Sequence, residues 1–187
     1  MTPPPEQLTA LLQLASPSLP IGGYSYSQGL ESAIELGLVH DETTTYQWIA
    51  DQLEHVLGYG EAPLWLSVYN AFQNEDEKTI CRLNDWFMAS RETQEMRQET
   101  QQMGWSLLQL AESLKWCEPH HIDLLKSLDP ASFPCVHAGL VSAKKINSQA
   151  GLTAYLFSWL ENQVMAALKS VPLGQMSGQR VTQQLRE

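Results

Sequence analysis

Basic side chains are scarce in this chain: 11 Lys and Arg stand against 21 Asp and Glu, a formal net charge of −10. A nucleic-acid backbone or an anionic membrane surface would be repelled by that field, which argues against both as partners. Cysteine is scarcer still. The 3 present, Cys81, Cys117 and Cys135, are odd in number and far apart, and no C-x-x-C pair suggests a zinc knuckle or a redox dithiol. Reduced, mostly buried thiols in a cytosolic protein fit that usage best. A secretory signal is also lacking, because residues 1–7 carry three prolines and no Lys or Arg. Nor is there a long apolar run: the most hydrophobic stretch, 152–171, is interrupted by Glu161, Asn162, Gln163 and Lys169, which argues against a membrane span. The expectation is a soluble cytoplasmic protein.

Signatures of autonomous chemistry are missing too. No glycine-rich loop ends in Gly-Lys followed by Ser or Thr, so the chain has no P-loop with which to hydrolyse GTP or ATP. The serine elbow G-x-S-x-G fails because Gly23-Tyr24-Ser25-Tyr26 is followed by Ser27. No pair of alternating strands, internal repeat or low-complexity block is present either.

What the chain does have is 43% hydrophobic residues with 6 Trp, arranged almost everywhere at helical spacing. Leu8, Leu11, Leu12 and Ala15 share one face before Pro17, and Leu30, Ala33 and Ile34 repeat the pattern up to Gly37, a C-terminal glycine. Asp41 or Thr43 caps a helix bearing Ile49, Leu53, Val56 and Leu57, which Gly58 and Gly60 interrupt. Another opens at Ala62. Residues 74–77 read as a solvated loop rather than a metal site. The 79–114 segment reads as one long helix or two abutting ones, with Gly104 at a close helix contact, and the charged run 91–99 in its middle reads as a solvated face with Arg91 and Glu95 in i,i+4 support. Pro119 begins a short helix, Asp129-Pro130 marks a turn, and Val136, Leu140 and Val141 suggest a further helix. The last long helix carries Leu152, Tyr155, Leu156, Trp159, Leu160, Val164, Ala167 and Leu168, a stripe wide enough to be buried on more than one side. The expected fold is all-α: a single-domain helical bundle over 1–187, with 1–6 disordered.

Two segments stand out. Leu19-Pro20-Ile21-Gly22-Gly23-Tyr24-Ser25-Tyr26-Ser27-Gln28-Gly29-Leu30-Glu31 sets paired glycines and two tyrosines between helices, so the chain can turn sharply and offer its backbone and rings to something nearby. Lys169-Ser170-Val171-Pro172-Leu173-Gly174-Gln175-Met176-Ser177-Gly178-Gln179-Arg180 delivers a lysine, a proline, amides and an arginine at the end of a buried helix. As simple structure, the first is an interhelical turn packed on the core and the second a kinked joint. Tyr24, Ser25 and Lys169 together could also form an acid-base and nucleophile set. Candidate metal ligands are His120, His121, His137 and Cys135, but adjacent histidines on a helix point about 100° apart, and a buried Cys beside a hydrogen-bonded His explains the other pair equally well.

Taken together, the two segments resemble the urease accessory protein UreF. The similarity runs through 12–31, Arg91-Glu92-Thr93 with Glu95 and Arg97, Tyr155 with Trp159-Leu160-Glu161-Asn162, and 169–179. It implies a non-catalytic, all-helical, cytoplasmic scaffold that needs no cofactor and no metal site of its own. Such a scaffold dimerises, binds a UreD/UreH-type protein, recruits the UreG-type GTPase and docks on apo-urease for nickel insertion, modulating the GTPase cycle or guiding nickel. The alternative is a nickel-binding metallochaperone acting through the His and Cys residues named above. Carried over by position, Gly22, Gly23, Tyr24, Ser25, Gln28 and Glu31 belong to the first partner-binding signature, and Lys169, Pro172, Gln175 and Gln179 to the second. The two signatures are expected to meet in space, with Tyr155, Phe157 and Trp159 as the dimer seam. Family members usually continue past Gln179-Arg180-Val181 with another helix and a tail of partner contacts, whereas this sequence ends at Glu187.

Overall fold

Capping chemistry punctuates the chain. Asp41 accepts from the Thr44 backbone N–H while the Thr44 hydroxyl reaches back, closing a capping box that starts α3. Asp76, Thr93 and Asn147 do the same duty for α5, α6 and α9. The structure, a computed structural model that describes residues 4–23 and 26–186, contains α1 (Pro5–Leu14), α2 (Leu30–Glu35), α3 (Glu42–Asp51), a π-helical segment (Gln52–Glu61) and α4 (Ala62–Gln73). It continues with α5 (Glu77–Ser90), α6 (Gln94–Ser113), α7 (Pro119–Lys126), α8 (Phe133–Ala143), α9 (Ser148–Ser170) and α10 (Gln175–Leu185). Among the described residues there is no strand, and the all-α expectation holds as a single-domain fold. α1 includes Pro5 and Glu6, two of the residues expected to be disordered.

Helix α8 lies at the centre. Every residue from Pro134 to Ser142 is buried, and α4, α6, α7 and α9 pack around it. Close approach here is enforced by glycine: a Cβ on Gly139 would stand 2.7 Å from the Phe72 ring, and one on Gly104 would stand 2.2 Å from the Ala131 carbonyl oxygen. The close contact expected at Gly104 is therefore real, made with the backbone of 131–133 where α8 begins.

Several expectations change. Gly58 and Gly60 do not break the chain's helicity. They lie in a wider π turn that runs without interruption from α3 into α4, and the altered pitch re-aims the residues that follow. The 79–114 segment is two helices, separated where Arg91 takes an extended conformation and Thr93 caps α6. On α1 the buried residues are Leu11 and Leu14, whereas Leu8 and Leu12 face outward.

Helix α9 spans three apolar clusters. Its first half joins the main core through Tyr155. Its later turns carry Leu160 and Val164 against Ile49 and Val181, and Ala167 against Leu30, Ala33 and Val39. Part of the wide stripe is thus used within one chain, through Tyr155, Leu160, Val164 and Ala167, whereas Leu152, Leu156, Trp159 and Leu168 are only partly buried.

Candidate functional site

The first signature segment is a loop with a strained backbone. Gly22 and Gly29 have φ of 81° and 88°, and Gln28, which is not glycine, has φ of 49°, a conformation such residues rarely adopt. Side chains from the bundle pin it. Asn162 on α9 donates through Nδ2 to the carbonyls of Gly23 (2.8 Å) and Tyr26 (3.3 Å). Gln28 in turn donates through Nε2 to Glu99 Oε1 on α6 (2.6 Å) and accepts from the Trp159 indole N–H (2.5 Å). Tyr24 and Ser25, both expected site residues, lie outside the described residues, and so does any geometry they share with Lys169.

The second signature meets the first. Ala167 and Val171 share an apolar cluster with Leu30, Ala33 and Val39, with Leu173 packed on it. Around that junction Glu31, Lys169, Pro172, Gln175 and Gln179 are exposed, while Gly22 and Gly23 are partly buried. Arg180 ties α10 to α3 by a two-pronged contact with Glu42, at 2.8 and 2.5 Å.

Beneath the loop lies a charged cluster that sequence reasoning missed. Glu99 is only 9% exposed. Its carboxyl is pushed up to about 7, first by burial and further by the nearby Glu61, with Gln28 and Arg91 pulling the other way. Glu61 is raised as well, by burial, although it accepts a hydrogen bond from the Tyr155 hydroxyl and stands 3.8 Å from an Arg91 nitrogen. Arg91 lies over the Phe87 ring at 4.2 Å, and Arg97 donates to its carbonyl. The run 91–99 is therefore not a uniformly solvated face, and Arg91 reaches Glu61 rather than Glu95. A signal was present in the sequence: Glu99 falls at helical spacing within the apolar stripe of Met96, Met103 and Leu107.

Tyr155 requires correction as a dimer-seam residue. It is 3% exposed, bonded to Glu61 and packed against Trp65, Phe133 and His137, so its ring is spent inside the subunit. Phe157 and Trp159 are half-buried.

The histidines and cysteines remain dispersed. His137 is fully buried, accepts from the Trp65 indole at Nδ1 (3.2 Å), and is driven down to about 3 by desolvation, which keeps it neutral. Cys135 is two residues away on the same helix, which turns it about 200° from His137, and burial pushes its thiol up to about 12. The His120 and His121 rings are closer than the helical angle suggested, with centroids 3.9 Å apart. Among the described residues, however, no three His, Cys, Asp or Glu side chains converge as metal ligands, and no helix is long and apolar enough to cross a membrane.

Comparison with known proteins gives consistent similarities. The UreF family model matches residues 39–186. The chain is 54% identical over 175 residues to the urease accessory protein UreF of Bordetella parapertussis, covering 94% of this chain and 80% of that protein. It is 51% identical over 175 residues to UreF of Cupriavidus metallidurans, covering 94% and 76%. Against the bifunctional urease accessory protein UreEF of Bordetella bronchiseptica it is 55% identical over 180 residues, but spans only 42% of that longer protein.

Proposed function

The chain belongs to the UreF family of urease accessory proteins, and from that premise we propose that it is a cytoplasmic, non-catalytic scaffold in urease maturation. In this reading it forms a homodimer, binds a UreD/UreH-type protein, and recruits the UreG-type GTPase to apo-urease for nickel insertion, modulating the GTPase cycle. Nickel is cargo of the assembly, and the GTPase supplies the nucleotide chemistry.

The observation that carries the reading is the junction of two segments about 140 residues apart: Leu30 and Ala33 pack on Ala167 and Val171, while Glu31, Pro172, Gln175 and Gln179 stay exposed beside them. An apolar junction ringed by exposed polar groups suits a docking surface, since a partner can be oriented by hydrogen bonds without the fold depending on them. Tyr155 has no part in the proposed dimer contact, whereas Phe157 and Trp159 keep surface that can contribute.

The test is capture of purified UreD/UreH-type and UreG-type partners by the wild type and by Gln175→Arg with Gln179→Arg. These positions are exposed, so the variant should fold as the wild type does and capture less. Undiminished capture would count against this surface.

A further inference from the structure

Helix α6 turns a row of amides toward solvent. Gln98, Gln101, Gln102 and Gln109 share one helical face with Trp105, and all five line a single groove of about 700 Å³. Its other wall is Lys126 from α7 with Asp129 and Pro130 from the turn before α8, and the buried Leu108, Leu128 and Ala131 add an apolar base. The fold makes little use of the groups at its mouth. Trp105 leaves 57% of its surface in water. Among the described residues, Gln102 is the one amide of the four in a side-chain hydrogen bond, donating to Ser106 Oγ at 3.0 Å.

We infer that this groove is a docking site for an extended segment of a partner protein, carrying one apolar and one basic side chain. The row from Gln98 to Gln109 covers about 16 Å of helix axis, which an extended chain spans with about five residues. A segment in that conformation presents an unpaired N–H and C=O at each residue, whereas a helix has satisfied most of its own. A primary amide offers donors and an acceptor together, so a row of glutamines answers both needs. Trp105 supplies the broad apolar contact that anchors one side chain of the segment.

Charge sets the rest of the specificity. Lys126, the basic group of the lining, is held by Glu112, while Asp129 is exposed and makes no ion pair among the described residues. In a chain of net charge −10, that carboxylate selects a Lys or Arg on the segment and turns away an acidic peptide or a polyphosphate. Tyr26 of the first signature segment also lines the groove, so the groove continues the surface proposed for docking. That the segment belongs to a urease-maturation partner rests on that proposed function.

The site itself is testable on the full chain alone. Random linear heptapeptides displayed on phage are selected against the wild type, and the enriched peptides, with both ends blocked, are titrated by fluorescence anisotropy and NMR. The expected peptides pair an apolar residue with a basic one, and they shift the Trp105 indole N–H and the side-chain amides of Gln98, Gln101 and Gln109. Gln101→Ala with Gln109→Ala should weaken binding about tenfold, as one or two lost hydrogen bonds imply, and Asp129→Asn should remove the preference for a basic residue. These positions are exposed, so the variants keep the fold.

An extended chain turns alternate N–H groups to opposite sides. Methylating the peptide nitrogens at odd positions and, separately, at even ones should therefore cost about tenfold for the set facing α6 and little for the other. Equal tolerance of both series would overturn the inference. So would enriched peptides that bind as helices, a selection that yields none acting on these groups, or a groove filled by a second copy of the chain, seen as a lower mass in light scattering for Trp105→Ala. Peptides that bind in a chain that captures no UreD/UreH-type or UreG-type partner refute only the proposed function, and captured partners beside a groove that takes no peptide refute only the groove.

Discussion

Gln28 stands between Glu99 and Trp159, giving a hydrogen bond to the first at 2.6 Å and taking one from the second at 2.5 Å. One amide side chain thus joins the glycine-tyrosine loop to two helices that are 60 residues apart in sequence. Gln28→Ala removes both bonds and leaves the Glu99 carboxyl without its donor. The expected cost is about 1–2 kcal/mol in urea unfolding, with Ala also strained at the left-handed backbone. A variant as stable as the wild type would mean that the clamp is a surface contact without energetic weight.

Stability should depend on pH through Glu99. Its folded value is raised above that of an exposed carboxyl, so the stabilisation is complete below the unfolded value and is lost as pH rises through about 7. Between about pH 5 and about pH 8 the wild type should lose about 2–3 kcal/mol relative to Glu99→Gln. Paired urea titrations at the two values check this. Parallel stabilities would show that Glu99 titrates normally.

Tyr155→Phe deletes the hydroxyl that serves Glu61 while preserving the ring between Phe133 and His137. A loss of about 1–3 kcal/mol is expected, because a buried acceptor is left with less compensation. Light scattering should show the same oligomeric state as the wild type, since the ring never reaches the surface. A changed oligomeric state would return Tyr155 to the dimer seam.

Gly104→Ala places a methyl 2.2 Å from the Ala131 carbonyl oxygen, against backbone that cannot rotate away. The variant should be destabilised by about 1–3 kcal/mol, read as a lowered denaturation midpoint. By contrast Gly174, with open space around it, should accept Ala at little cost.

Helix periodicity made most of the bundle legible, and the resemblance located the two segments whose apolar residues meet. What periodicity could not supply was orientation at points where polarity and position conflict. Gly58 and Gly60 looked like breakers because glycine weakens an α-helix, yet a π turn absorbs them and leaves Glu61 facing Tyr155. Glu99 looked solvated because its sequence neighbours are charged, although its helical neighbours Met96 and Met103 are apolar. Tyr155 belonged to a stripe too wide for one contact. The second contact came from the same chain, through α2, α3 and α10, and only the tertiary structure could reveal that.

The most direct test of the scaffold account is size-exclusion chromatography with light scattering, on the chain alone and then with UreD/UreH-type and UreG-type partners, nickel and GTP. The account predicts a dimer that moves into a larger complex containing both partners, and a weaker shift for Gln175→Arg with Gln179→Arg. A chain that elutes unchanged beside both partners would contradict it.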